Sequence, residues 1–194
     1  MGRDTLKVIG ASNHCDEERA KLDYYGTNPE STRALLAVEK FDDFIWEPAA
    51  GHHLISNILE EAGYEVMTTD IADYGFGDDI SDFLAIEGEN FHEGDIITNP
   101  PYGLSTEFAI KALQVITPGH KVAMFLRLLF LEGTKRYETL FKEQPPKNIY
   151  VFSNRQVSDK NDDFNKGSAV AYAWFVWEKG WYGDPVIKWI NSKK

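Results

Sequence analysis

Apolar runs of strand length, separated by stretches with helical spacing, constrain this chain more than any other feature. The runs are FIWEP (44–48), YEVMTTDI (64–71), DIITNP (95–100), KVAMFLRLLF (121–130), NIYVFS (148–153) and AVAYAWFVWEK (169–179). Helical spacing lies between them in LISNILEEAG (54–63), TEFAIKALQVI (106–116) and GTKRYETLFKEQ (133–144), and ahead of them in PESTRALLAVEK (29–40). Gly63 and the Pro145-Pro146 pair are the stops such helices need. Strands alternating with helices predict a mainly parallel sheet covered on both faces. Residues 154–168 connect the last two long strands as a polar loop, so those strands should pair antiparallel. VIKWI (186–190) reads as a short terminal segment, and residues 72–94 as irregular and acidic. Residues 1–22 are polar and weakly patterned, an arm that is either mobile or a short helix; residues 23–194 are expected to form one domain.

Composition narrows the function classes. The single cysteine, Cys15, cannot form an internal disulfide, and no Cys/His pattern suggests a metal site. No signal peptide and no membrane span is legible, so a cytoplasmic setting is expected. The net charge of −11 speaks against a strong general nucleic-acid binder. The charge is uneven, however: residues 1–120 carry a net −16 and residues 121–194 a net +5. The asymmetry is either ordinary surface scatter or the mark of a polyanion-facing surface in the C-terminal third.

Asn99-Pro100-Pro101-Tyr102 follows the apolar strand directly. Ligands of open parallel sheets bind beyond the carboxyl ends of the strands, where this tetrapeptide falls. An exocyclic base amine is a poor nucleophile because its lone pair is delocalised into the ring. The Asn99 side-chain oxygen and a proline carbonyl can both accept hydrogen bonds from that NH2, drawing it toward tetrahedral geometry. Consecutive prolines hold those acceptors in place, and Tyr102 can stack on an extruded base. Glu47-Pro48-Ala49-Ala50-Gly51 is a strand–turn–helix junction of the kind that approaches a nucleotide-like ligand. Asp70 ends the next strand, 19 residues after Gly51, close to the spacing at which an acidic residue meets ribose hydroxyls. Asp82 and Phe83 can contact an adenine amine and ring, or be a capping Asp and a core Phe.

With these motifs in chain order, the sequence resembles the amino-methyltransferases of DNA, in particular small phage- and prophage-type adenine methyltransferases. The resemblance runs from about Tyr24 to Ile190 and is carried by YYGTNP (24–29), IWEPAAGHHLISNILEEAGYEV (45–66), TTDI (68–71), DIITNPPY (95–102), FLRLLFLEGTKRYE (125–138) and AYAWFVWEKG (171–180). It implies a Rossmann-like class I methyltransferase fold, a seven-stranded, mainly parallel sheet with a C-terminal antiparallel hairpin strand. It implies S-adenosylmethionine as cofactor and the N6 amine of adenine, in double-stranded DNA of a bacterial host, as acceptor. It assigns Tyr25, Thr27 and Asn28 to a segment folding over the cofactor's methionine part. Glu47, Pro48, Ala49 and Gly51 become the cofactor turn, Asp70 and Ile71 the ribose and adenine contacts, and Asn99 to Tyr102 the catalytic tetrapeptide. The same tetrapeptide occurs in enzymes that methylate glutamine in proteins. A protein glutamine, an RNA base, or a non-catalytic binding role are thus the competing readings.

Two departures from the family pattern stand out. The turn usually carries a second glycine, where this chain has His53; a side chain there would crowd the cofactor unless it turns away. Gly51 and Asn99 are 48 residues apart, too close for an inserted recognition domain. Target readout is then expected from loops or from a partner, or to be weak; the best loop is 154–168, either a plain disordered surface loop or one in which Arg155, Lys160 and Lys166 meet phosphates and Phe164 wedges or stacks. Arg127, Lys135 and Arg136 are further candidates. The tryptophan-rich end is expected to be core, with a patch for a second copy.

Overall fold

In the computed structural model, residues 24–76, 79–159, 162–165 and 168–192 are described. The N-terminal arm 1–22 lies outside them. The first elements are β1 (Gly26–Thr27), α1 (Pro29–Leu36), β2 (Phe44–Glu47), α2 (Ser56–Glu61), β3 (Glu65–Asp70) and the short β4 (Asp79–Ile80). They are followed by β5 (Asp95–Thr98), α3 (Ser105–Val115), β6 (Lys121–Arg127) and α4 (Thr134–Arg136). The remaining strands are β7 (Asn148–Phe152), β8 (Ser158–Asp159), β9 (Tyr172–Glu178) and β10 (Val186–Ile190).

The main sheet has the order β10-β7-β9-β6-β5-β2-β3-β4. Strands β4, β3, β2, β5 and β6 run parallel, whereas β9 pairs antiparallel with both β6 and β7. The expected hairpin between the last two long strands is therefore present, with β9 inserted between β6 and β7. The sheet has eight strands where seven were expected: besides the six apolar runs it holds β4, within the stretch read as irregular, and β10, which pairs parallel with β7 at the edge. VIKWI is thus a sheet strand: its β-branched residues suit a pleated ribbon, and β7 offers an unpaired edge.

The continuous apolar runs follow from burial on both faces. Successive side chains of a strand point to opposite faces. Trp46, Ile96, Val122, Met124, Leu126, Ala173, Phe175 and Trp177 pack with Phe108 and Leu113 of α3 on one face. Their neighbours Ile45, Ile97, Ala123, Phe125, Trp174 and Val176 pack with Leu35 of α1 and Leu59 of α2 on the other. The indole N–H of each core tryptophan finds an acceptor: Trp46 to Thr69 Oγ1 (3.0 Å), Trp174 to the Ser31 carbonyl (2.9 Å) and Trp177 to the Gln144 carbonyl (3.1 Å).

Two elements differ from the sequence reading. The strand expected over 121–130 stops at Arg127, and Leu128–Leu131 form a 3-10 turn. The helix expected over 133–144 is a short α4 continued by a π-type turn, Tyr137–Phe141. Here Arg136 donates to the Phe130 and Glu132 carbonyls (2.7 and 2.5 Å) and lies 4.2 Å from the Phe130 ring. Its Nε–H also donates to Thr106 Oγ1 of α3 (3.0 Å), a tertiary anchor that overrides helical periodicity.

Candidate active site

The carboxyl ends of β2, β3 and β5 open onto a cavity of about 390 Å³. Chain direction alone brings the site together, because parallel strands place their following turns at one end of the sheet. Glu47, Pro48 and Ala49 line it from β2, Asp70 and Ile71 from β3, Asp82 and Phe83 from the next turn, and Asn99 and Pro101 from β5. Tyr25 and Thr27 line it from the segment ahead of α1. The sequence-predicted groups that do not line it have other tasks. Asn28 caps α1, its side-chain oxygen accepting from the Glu30 N–H (3.0 Å). Pro100 is buried behind the turn.

The turn after β2 is fixed by two carboxylates. Glu47, 2% exposed, accepts from the Ser56 N–H (2.9 Å) at the start of α2, where helix N–H groups lack internal partners. Asp70 accepts from the Gly51 N–H and the Ala72 N–H (both 3.0 Å). A carboxylate has about four lone-pair sites, so this pinning does not exhaust it. Gly51 has φ +51°, and a Cβ there would run into the Tyr24 ring. His53 also sits at a positive φ, +59°, which accounts for the glycine usual at that position. Its ring is stacked on Phe76 (4.8 Å between centroids) and does not line the cavity. Asp82 and Phe83 have the capping and core roles and also face the cavity. Asp82 caps the turn by accepting from the Leu84 N–H (3.0 Å), and Phe83 packs on Trp46 and Phe108 (5.1 Å each), while both line the cavity.

Asn99 joins the strap over the cavity to the tetrapeptide. Its Nδ2 donates to the Tyr25 carbonyl (2.7 Å) and to Thr27 Oγ1 (2.9 Å). A carbonyl only accepts, so this pairing fixes which end of the amide is nitrogen. Asn99 Oδ1 is buried without a hydrogen-bond partner among the described residues. An orphaned buried acceptor costs about 1–3 kcal/mol, a cost that an incoming donor would remove.

Tyr102 is placed differently from the sequence reading. Its hydroxyl donates to Ser158 Oγ (2.8 Å), and the Arg127 guanidinium lies 4.4 Å from the centre of its ring. Burial pushes its pKa well above the usual phenol range, and nearby Tyr172 adds to the shift. Tyr102 and Arg127 face a second cavity, of about 370 Å³, with Ser105, Phe130 and Arg136. The ring expected to carry an extruded base is therefore covered on one face by Arg127.

Described residues of loop 154–168 pack against the strap. β8 pairs antiparallel with β1, Gly26 opposite Asp159 and Thr27 opposite Ser158. Asp162 accepts from the Tyr24 hydroxyl (2.8 Å) and pairs with His52 Nδ1 (2.7 Å). Burial, then the bond to Asp162, raises the Tyr24 pKa. Arg155 is exposed and Phe164 half-buried; Lys160 and Lys166 fall outside the described residues. Sequence reasoning missed Tyr24, Tyr74, Ser81 and Asp162. Tyr24 was within reach, as the first residue of YYGTNP; Asp162 was not, because its partners lie more than 100 residues away.

No protein-family model and no curated protein matches the chain. Solved structures do. A Pyrococcus horikoshii protein bearing the name of an RNA methyltransferase is 13% identical, covers 92% of this chain and 98% of its own, and superposes with a TM-score of 0.59. A type I restriction-modification methyltransferase subunit from Streptococcus thermophilus is 11% identical over 92% of this chain, with a TM-score of 0.55. This chain spans about half of that subunit, 47%. The 23S rRNA methyltransferase ErmE is 18% identical over 80% of this chain and 69% of its own, with a TM-score of 0.54. At these identities the likeness is one of fold. The chain has the Rossmann-like class I methyltransferase fold, mostly parallel with antiparallel pairing at its C-terminal side.

Proposed function

We propose that this protein binds S-adenosylmethionine in the 390 Å³ cavity and methylates the N6 amine of adenine in double-stranded DNA. The observation that carries the reading is the fixed amide of Asn99, with its nitrogen committed and its buried oxygen unpartnered.

The cavity suits a nucleoside that carries positive charge and no phosphate. Glu47, Asp70 and Asp82 line it and, among the described residues, no lysine or arginine does, so a pyrophosphate would meet repulsion. An ammonium and a sulfonium are favoured there. Asp70 would take the ribose hydroxyls, Ile71 and Phe83 the adenine faces, Asp82 the adenine amine, and Glu47 with the Pro48–Ala49 turn the methionine end. Tyr25 and Thr27 close the cavity above them. When bound, the cofactor supplies a methyl group on a positively charged sulfur, which keeps the bonding electron pair as the acceptor nitrogen takes the methyl.

The protein's own part is to prepare that nitrogen. Asn99 Oδ1 accepts a hydrogen bond from the acceptor NH2, withdrawing the lone pair from ring conjugation. The rigid Pro100-Pro101 backbone keeps the acceptor geometry fixed, so most of the catalysis is positioning. After transfer the nitrogen sheds its extra proton to water. His53, stacked on Phe76 outside the cavity, does not obstruct this arrangement.

The test is methyl transfer from labelled S-adenosylmethionine to unmethylated genomic DNA, with product nucleosides separated. Labelled N6-methyladenine is expected, and Asn99→Ala should abolish it while calorimetry still detects cofactor binding. Full activity in that variant would overturn the mechanism. Label on RNA or on protein glutamine, with none on DNA, would overturn the acceptor assignment.

A further inference from the structure

We propose that Thr27 is a positioning residue for catalysis: with the Tyr25 carbonyl it sets the orientation of the Asn99 amide, so that closure of the strap and readiness of the catalytic acceptor are one event. The inference rests on the proposed role of Asn99 and assigns a second role to a segment expected only to cover the cofactor.

An asparagine amide has a donor end and an acceptor end of nearly equal size. Only one of its two orientations presents oxygen to an amine; the other presents N–H groups and repels it. Nothing in the Asn99 side chain itself chooses between them. The Tyr25 carbonyl, 74 residues earlier in the chain, makes the choice because it can only accept, and the Thr27 hydroxyl, 72 residues earlier, holds Nδ2 against it with a second bond. Thr27 is 2% exposed, so water does not compete for this contact.

The strap is held on its other side as well. β1 is paired to β8, and the Tyr24 hydroxyl is tied to Asp162. Gly26 makes this close approach possible, since a Cβ there would collide with Asp162 Oδ1 and the Leu54 side chain. The same four residues, Tyr24 to Thr27, line the cofactor cavity. Lifting the strap to admit a ligand therefore removes both acceptors from Asn99 Nδ2 and lets the amide turn over. Closing it restores the orientation in which Oδ1 accepts. A filled, closed cofactor site thus prepares the acceptor site next to it without a contact between the two ligands.

The test uses Thr27→Val, which keeps the shape and removes the hydroxyl, and Thr27→Ser, which keeps the hydroxyl. Thr27→Val should lower kcat on unmethylated DNA, measured at saturating S-adenosylmethionine, by about ten- to a hundredfold, the range for a misplaced catalytic group, a larger change than in the Kd for S-adenosylmethionine by calorimetry. Thr27→Ser should restore most of kcat. A full kcat in Thr27→Val, or a fall that tracks lost cofactor affinity, would overturn the proposal. If the wild-type protein methylates no DNA, the acceptor reading fails and the side-chain amide NMR signal of Asn99, identified by its loss in Asn99→Ala, still decides. That signal should shift in Thr27→Val and return toward its wild-type position in Thr27→Ser; an unmoved signal would refute the positioning role.

Discussion

Replacing Gly51 by alanine tests the closed strap most directly. At φ +51° an L-residue is in the left-handed region, where a side chain costs about 1 kcal/mol relative to glycine. The added methyl would also fall on the Tyr24 ring, which must move aside. Moving it breaks the 2.8 Å bond from the Tyr24 hydroxyl to Asp162, a contact with a charged acceptor worth about 1.5–3 kcal/mol. Together these give a loss of about 2.5–4 kcal/mol, or a fall in Tm of about 10 °C for a chain of this size. Thermal unfolding of wild type, Gly51→Ala, Tyr24→Ala and the double variant separates the two contributions. In the Tyr24→Ala background the ring is gone, so Gly51→Ala should cost only the backbone share of about 1 kcal/mol, leaving a coupling of about 2 kcal/mol. Additive losses, with no coupling, would refute the placement of Tyr24 over the turn.

Two more predictions follow from groups at the edges of the site and the sheet. Burial alone would raise the Glu39 pKa, but hydrogen bonds from Lys121 (2.7 Å) and Tyr150 (2.6 Å) outweigh it and hold it below its ordinary 4.5. A depressed carboxyl pKa stabilises the fold above the unfolded value and ceases to do so as pH falls through the folded one. Glu39→Gln should therefore cost about 2 kcal/mol in denaturant unfolding at neutral pH, and the difference from wild type should shrink below pH 4.5; a pH-independent difference would contradict the ion-paired reading. Arg155 is exposed on the loop beside the strap; if DNA is the acceptor, Arg155→Ala should reduce the slope of log binding constant against log salt by about 1, and an unchanged slope would place the phosphate contacts elsewhere.

The layered α/β fold is legible in the sequence because burial on both faces leaves a local signature: uninterrupted apolar runs alternating with helical spacing. The antiparallel β7–β9 pairing follows from the loop that joins them. Much of the cavity's lining was legible too, since turns after parallel strands must gather at one end, and Glu47, Asp70, Asp82 and Asn99 all end or follow strands. What was not legible depends on partners distant in the chain. β10 is a strand because β7 offers it an edge. Tyr102 faces Arg127 and Ser158 because β6 and the β7–β9 loop converge there. The sequence by itself determined that an asparagine would stand at the carboxyl end of a buried strand. Only the packing of the strap decided which end of its amide accepts, because the Tyr25 carbonyl, 74 residues away in the chain, can take a hydrogen bond from the nitrogen end alone.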